Sequence, residues 1–164
     1  MAQDIFLKIE GPDLKGESKD DKHKDEIDIL SVSFGVAQTG TFGDGTGGAA
    51  GKANFQQISV MTQSSKASAE LWWNCATGQH FKKATLVFRK AGGKEGPIDF
   101  LKLTMEPCMI TSYQNSGSSG DSVLTESFSL DFGKATYEYS PQKEDGTADA
   151  PITHWYDVIA NKNG

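Results

Sequence analysis

Residues Glu26–Gln38 read EIDILSVSFGVAQ, and the apolar positions change parity partway along. Ile27 and Ile29 are odd-numbered, whereas Leu30, Val32, Phe34 and Val36 are even-numbered. A strand presents successive side chains to opposite faces, so a period-two pattern that slips by one residue requires a bulge or sharp bend at the slip. The bend is expected near Ile29 and Leu30. Beyond it, Ser31, Ser33 and Gly35 share the face opposite Leu30, Val32, Phe34 and Val36. Groups this small allow close approach by another molecule. They suit either an ordinary solvated sheet or the wall of a channel, and parity does not choose between the two.

Outward from this stretch the chain reads as strands and turns. Asp4–Glu10 (DIFLKIE) places Ile5, Leu7 and Ile9 on one face, a half-buried strand. Residues 11–25 (GPDLKGESKDDKHKD) combine Pro, Gly and many charges, and are expected to form a long exposed loop. Residues 54–62 (NFQQISVMT) are rich in strand formers. Ser64–Thr77 (SSKASAELWWNCAT) is the one clear helix, with Ser64 or Ser65 as its cap, Leu71 and Cys75 on one face and Gly78 as its stop. Trp72 and Trp73 point about 100° apart, so at least one falls toward the edge of the packed face. Strands follow over 80–90, 97–110 and 122–132, with a register break expected at Gly133 before 136–139, and a last strand at 152–159. About eight strands, one helix and no strand–helix alternation predict one mainly β domain spanning 1–164: a closed or nearly closed antiparallel barrel with long loops at 11–25 and 40–53.

The chain of 164 residues is long enough for a real core, and its net charge of −6 argues against nucleic acid or an anionic membrane as main partner. No apolar run approaches the roughly 18 residues of a membrane span. The opening MAQDIFLKIE has no signal-peptide pattern, so synthesis and folding in the cytoplasm are expected. Cys75 and Cys108 lie in different predicted elements, which argues against a disulfide framework.

The glycine-rich stretch GTFGDGTGGAAGKANF (40–55) invites comparison with a phosphate-binding loop and fails it. Thr46 stands where the first glycine belongs, Ala53 where Ser or Thr would hold the metal, and a strand follows instead of a helix. A long connection between strands fits better. His23, His80 and His154 make no spaced ligand set, and no serine stands in G-x-S-x-G, so no catalytic residue, metal or cofactor is assigned. Glu126 shares parity with Leu124 and Phe128, aiming a carboxylate inward. Its expected role is structural, next to a lysine, an arginine or a backbone N–H; an enzyme with Glu126 and His80 as acid and base is the weakest reading. A monomeric barrel binding a small ligand inside, in an apolar cavity with a few convergent polar groups, is the alternative from another class.

KGESKD at Lys15–Asp20, His23, EIDILSVSFG at Glu26–Gly35, the glycine loop, ATGQHFKKATLVFRKAGG at Ala76–Gly93, LTESFSLDFGKATYEYSPQK at Leu124–Lys143 and HWYDV at His154–Val158 occur in order. Together they closely resemble the haemolysin-coregulated protein (Hcp) family of bacterial type VI secretion. The resemblance implies a β-barrel of two sheets with a flanking helix, assembled as a hexameric ring about an open pore. It further implies rings stacked into a tube inside a contractile sheath, under a spike of the VgrG type, secretion without a signal peptide, and small effector proteins held and protected in the lumen. By residue matching, the strand after EID lines that lumen, making Ser31 and Ser33, with Gly35 on the same face, the candidate cargo contacts. Gly43, Asp44, Gly45, Thr46, Gly47, Gly48, Gly51 and Lys52 become candidates for inter-ring or inter-subunit contact, with Lys52 a rim charge.

Overall fold

The computed structural model describes residues 3–40, 42–43 and 51–164. The strands are β1 (Asp4–Glu10), β2 (Ile27–Asp28), β3 (Ser31–Ser33), β4 (Val36–Ala37), β5 (Asn54–Phe55) and β6 (Ile58–Gln63). After helix α1 (Ser68–Thr77) come β7 (His80–Phe81), β8 (Lys83–Lys90), β9 (Ile98–Ser116), β10 (Thr125–Tyr139), β11 (Ile152–Asp157) and β12 (Lys162–Asn163).

The parity slip is where the barrel closes. β2 pairs with β1, whereas β3 pairs with β6. At the two residues between them, the Ile29 N–H donates to the Ile5 carbonyl and the Leu30 N–H to the Met61 carbonyl, so the chain changes partner within one peptide. β6 pairs with β10, β10 with β9, β9 with β8 and β8 with β1, completing an antiparallel circuit. Ile27 and Ile29 are buried on one side of the bend, and Val32 and Phe34 pack against the same core beyond it. Leu30, at the bend itself, is 54% exposed, and Val36 is also exposed, because the strand ends at Ser33 and the backbone turns before β4.

Leu7, Ile9, Ile58, Val60, Leu86, Met105, Phe128 and Leu130 fill the interior. At about 1.5–3 kcal/mol for each fully buried large apolar side chain, this contiguous packing is the main driving force for closure. The helix begins at Ser68, later than expected. Neither Ser64 nor Ser65 is its cap: Ala67 holds that position with no side-chain cap, because the Ser64 N–H donates to the carbonyl of Leu124, just before β10, and Ser65 forms a local turn in which its N–H donates to Ser68 Oγ. Gly78 ends the helix in the left-handed region (φ 69°), where glycine carries no Cβ penalty. Gly133 does not break β10. The register shift lies opposite, on β9 near Thr111, and β10 runs unbroken through Gly133, where a Cβ would meet Ile159 Cδ1 at 2.6 Å.

The segment 11–25 is not the exposed loop its charges suggest. Leu14, Ser18 and His23 are buried, and Gly16 lies so close to the Glu26 carbonyl that a Cβ would meet it at 2.5 Å. The His23 ring stacks on Phe6 (4.4 Å, 11°), with Nδ1 2.7 Å from Glu26 Oε2 and Nε2 3.2 Å from Asp99. Arg89 lies over the Phe6 ring and donates to Asp20 (2.8 Å) and Asp4 (3.0 Å). The segment is thus a strap over β1 and β8, and it explains why β8 is buried on both faces.

Candidate functional surface

Half of the barrel presents an open face of small, uncharged side chains. Register places Ser33, Ser59, Ser129 and Ser112 in one row across β3, β6, β10 and β9. The next row is Ser31, Met61, Ser127 and Gln114, and the last is Gln63, Thr125 and Ser116. All are exposed or half-buried, while the alternate residues Val60, Phe128, Leu130 and Ile110 point into the core. Within the serine row, Ser112 Oγ donates to Ser129 Oγ at 2.9 Å. None of these outward side chains is ionised near neutral pH, so the wall offers hydroxyls and amides with no fixed charge. Such a surface can exchange hydrogen bonds over a broad area and holds no group for acid–base chemistry.

Ser31 and Ser33 both lie on this wall. Gly35 does not continue it: the chain has turned, the Gly35 carbonyl accepts from the Gln56 N–H, and the residue lines an adjacent cleft. The wall residues of β6, β9 and β10 were missed in the sequence; the alternation of Ser127 and Ser129 with Phe128 and Leu130 was their available signal. The sheet also has two unpaired edges. Among the described residues, β3 pairs only with β6, and residues 110–116 of β9 pair only with β10.

The cleft arises because β10 changes partner along one edge, from β6 over Thr125–Leu130 to β11 over Lys134–Tyr139. The sheets part there and leave a space of about 680 Å³ whose walls include Phe34, Val36, Phe55, Phe132, Tyr137 and Trp155. Room for an apolar ligand therefore lies beside the barrel, not inside it, where core side chains fill the space.

Glu126 is 1% exposed, and its partners are not a lysine, an arginine or a backbone N–H. Tyr113 donates to Oε2 at 2.6 Å, with Asn115 and Ser64 at 3.5 Å, and Oε1 has no hydrogen-bond partner. Burial, and then this bond to Glu126, push the Tyr113 phenol above its ordinary value. His80 is paired opposite Met109 and Glu126 opposite Asn115, about 20 Å apart along β9 at 3.4 Å per residue, so they form no acid–base pair. Burial also pushes the Cys108 thiol up to about 12.

Of the glycine-loop candidates, Gly43, Gly51 and Lys52 are exposed, while Asp44, Gly45, Thr46, Gly47 and Gly48 lie outside the described residues. The described helix is too short to cross a membrane.

The family model described as "Type VI secretion system effector, Hcp" matches residues 6–139. Protein hcp1 of Pseudomonas aeruginosa is 40% identical over 162 residues, covering 98% of each chain. Among solved structures, Hcp1 from Salmonella typhimurium has a TM-score of 0.81 at 36% identity and full coverage of both chains. A second, described as a type six secretion system protein, has a TM-score of 0.91 at 30% identity, covering 99% of this chain and 100% of that one. The barrel, its flanking helix and the near end-to-end match agree: the chain belongs to the Hcp family of secreted, structural type VI secretion proteins.

Proposed function

We propose that the chain is the repeating subunit of a type VI secretion tube. Six copies form a ring, rings stack, and the hydroxyl wall lines a lumen that holds and protects effector proteins on their way out. The observation that carries this reading is the wall sheet with its two open edges, because β3 and the end of β9 are different strands. Joining one copy's β3 edge to the next copy's β9 edge is a heterologous contact, which closes into a ring when the rotation per subunit allows it. It also removes two exposed edges that invite uncontrolled association. A VgrG-type spike, a contractile sheath and lumenal effectors are the partners in this reading, and no catalytic step is required. The 164 residues act as one barrel unit. The glycine loop, including Gly43, Gly51 and Lys52, provides contact with a neighbouring subunit or ring.

Sedimentation at micromolar concentration, with electron-microscope images of the purified protein, tests the proposal. Rings of six with a central hole are expected; a monomer under all conditions refutes it and favours a monomeric barrel holding an apolar ligand in the lateral cleft. Deleting residues 44–50 is expected to leave subunit melting unchanged while impairing tube stacking, and normal tubes from that variant refute the loop assignment.

A further inference from the structure

We infer that Glu126 is a positioning residue for assembly: through Tyr113 and Asn115 it holds the free end of β9 in the shape with which the next copy's β3 pairs. The inference rests on the ring reading and names what prepares its edge. A strand inside a sheet is held by a neighbour on each side, whereas among the described residues 110–116 of β9 are held by β10 alone. An edge left to fray has to be ordered at the moment of contact, and that ordering is subtracted from the affinity.

Glu126 stands opposite Asn115 on one side and Thr62 on the other, with its side chain on the core side of β10. Its Oε2 atom is a shared acceptor. The Tyr113 hydroxyl donates to it at 2.6 Å, and Ser64 Oγ and Asn115 Nδ2 lie at 3.5 Å. Asn115 Nδ2 also reaches Ser64 Oγ at 3.1 Å and the Tyr113 hydroxyl at 3.3 Å. The cluster joins the free end of β9 to β10 and to the segment between β6 and α1, and the Tyr113 bond is its strongest link.

Packing does not require a carboxyl group here. Phe128 and Leu130, next along the same side of β10, are apolar, and Glu126 Oε1 has no hydrogen-bond partner. A buried polar group with one oxygen unmatched costs stability, and an apolar side chain of similar volume is often neutral or better in such a place. An apolar side chain cannot accept a directional bond from Tyr113, and direction is what an unpaired edge needs.

Glu126→Leu, Glu126→Gln and Tyr113→Phe separate positioning from simple stability. Glu126→Leu is expected to melt no lower than wild type while sedimentation shows self-association weakened about ten-fold, the equivalent of one hydrogen bond to a charged group. Glu126→Gln, whose amide oxygen still accepts from Tyr113, should restore association to within about three-fold of wild type. Adding Tyr113→Phe to Glu126→Leu should weaken association no further, because both remove the same link. Should Glu126→Leu not fold, Tyr113→Phe by itself is expected to weaken association about ten-fold and to speed hydrogen exchange at 112–116 in dilute protein. Wild-type association in both Glu126→Leu and Tyr113→Phe overturns the inference. Association that falls only in step with melting temperature across the variants overturns it too, and leaves Glu126 a stabilising residue. A wild-type protein that is monomeric at micromolar concentration overturns the ring reading and this inference with it.

Discussion

The hydroxyl wall over β3, β6, β10 and β9 and the strapped face of β1 and β8 are both polar surfaces of one barrel, yet they differ in what their side chains hold. On the wall, Ser31, Ser33 and Ser59 face outward, and the shared hydrogen bond is the short link between Ser112 and Ser129. On the strapped face, the His23 ring and the Arg89 guanidinium are engaged by residues far away in sequence. His23 meets Asp99 across 76 residues, and Arg89 meets Asp20 across 69. Polar residues on a strand are therefore not one category. Those left open are available for another molecule, and those covered hold the subunit together.

Substitutions on the strapped face should therefore act on stability and those on the wall on association with cargo. The largest effect is expected at Phe6, buried between the His23 ring and the Arg89 guanidinium layer; Phe6→Ala should cost about 3 kcal/mol in chemical denaturation. A loss below about 0.5 kcal/mol would mean that the strap adds nothing. Next is Arg89→Ala, expected to cost about 1–3 kcal/mol, because it removes two charge-assisted hydrogen bonds while the freed Asp4 and Asp20 can still reach water. Hydrogen exchange should show the loss at the amides of Gly16, Ser18 and Asp25, whose bonds organise the strap.

A smaller, pH-dependent effect follows from the same pair. The Arg89 hydrogen bond holds the Asp20 carboxyl below its ordinary value of 3.8, so folding favours its ionised form. That contribution is fully present above the unfolded value and is lost as pH falls through the lower folded one. Strap amides should therefore lose protection below about pH 3.8, and Asp20→Asn should flatten this dependence; an unchanged profile would remove Asp20 from the clamp. Smallest in stability is Ser33→Arg on the wall, within about 0.5 kcal/mol of wild type as an exposed substitution. Ring mass should stay the same while co-purification of a lumenal effector falls. Dissociation of the ring would instead place Ser33 at a subunit contact.

Much of the fold was legible because strand alternation and the glycine stop of a helix are local, whereas the helix start, at Ala67 and not at Ser64 or Ser65, was not. The slip between Ile29 and Leu30 marked the closure point, Gly78 marked the helix end, and the parity of Ser31 and Ser33 put them on the outward face. The 11–25 strap was not legible, because charge density reads as solvent exposure unless the partners of those charges are known. The uninterrupted run of β10 through Gly133 was also hidden. A glycine there serves the close approach of Ile159 and Pro107, a packing requirement that looks in sequence like a strand break.

The sequence alone therefore determined which residues alternate, where the chain bends and which strand face is small and polar, since these depend on neighbours a few residues apart. Only the tertiary structure decided that the faces of β3, β6, β9 and β10 align into one wall, that β10 exchanges β6 for β11 to open an aromatic cleft, and that the strap is pinned by Phe6, Arg89 and Asp99. Those outcomes depend on register and on partners dozens of residues away, and backbone pairing sets them where local periodicity is silent.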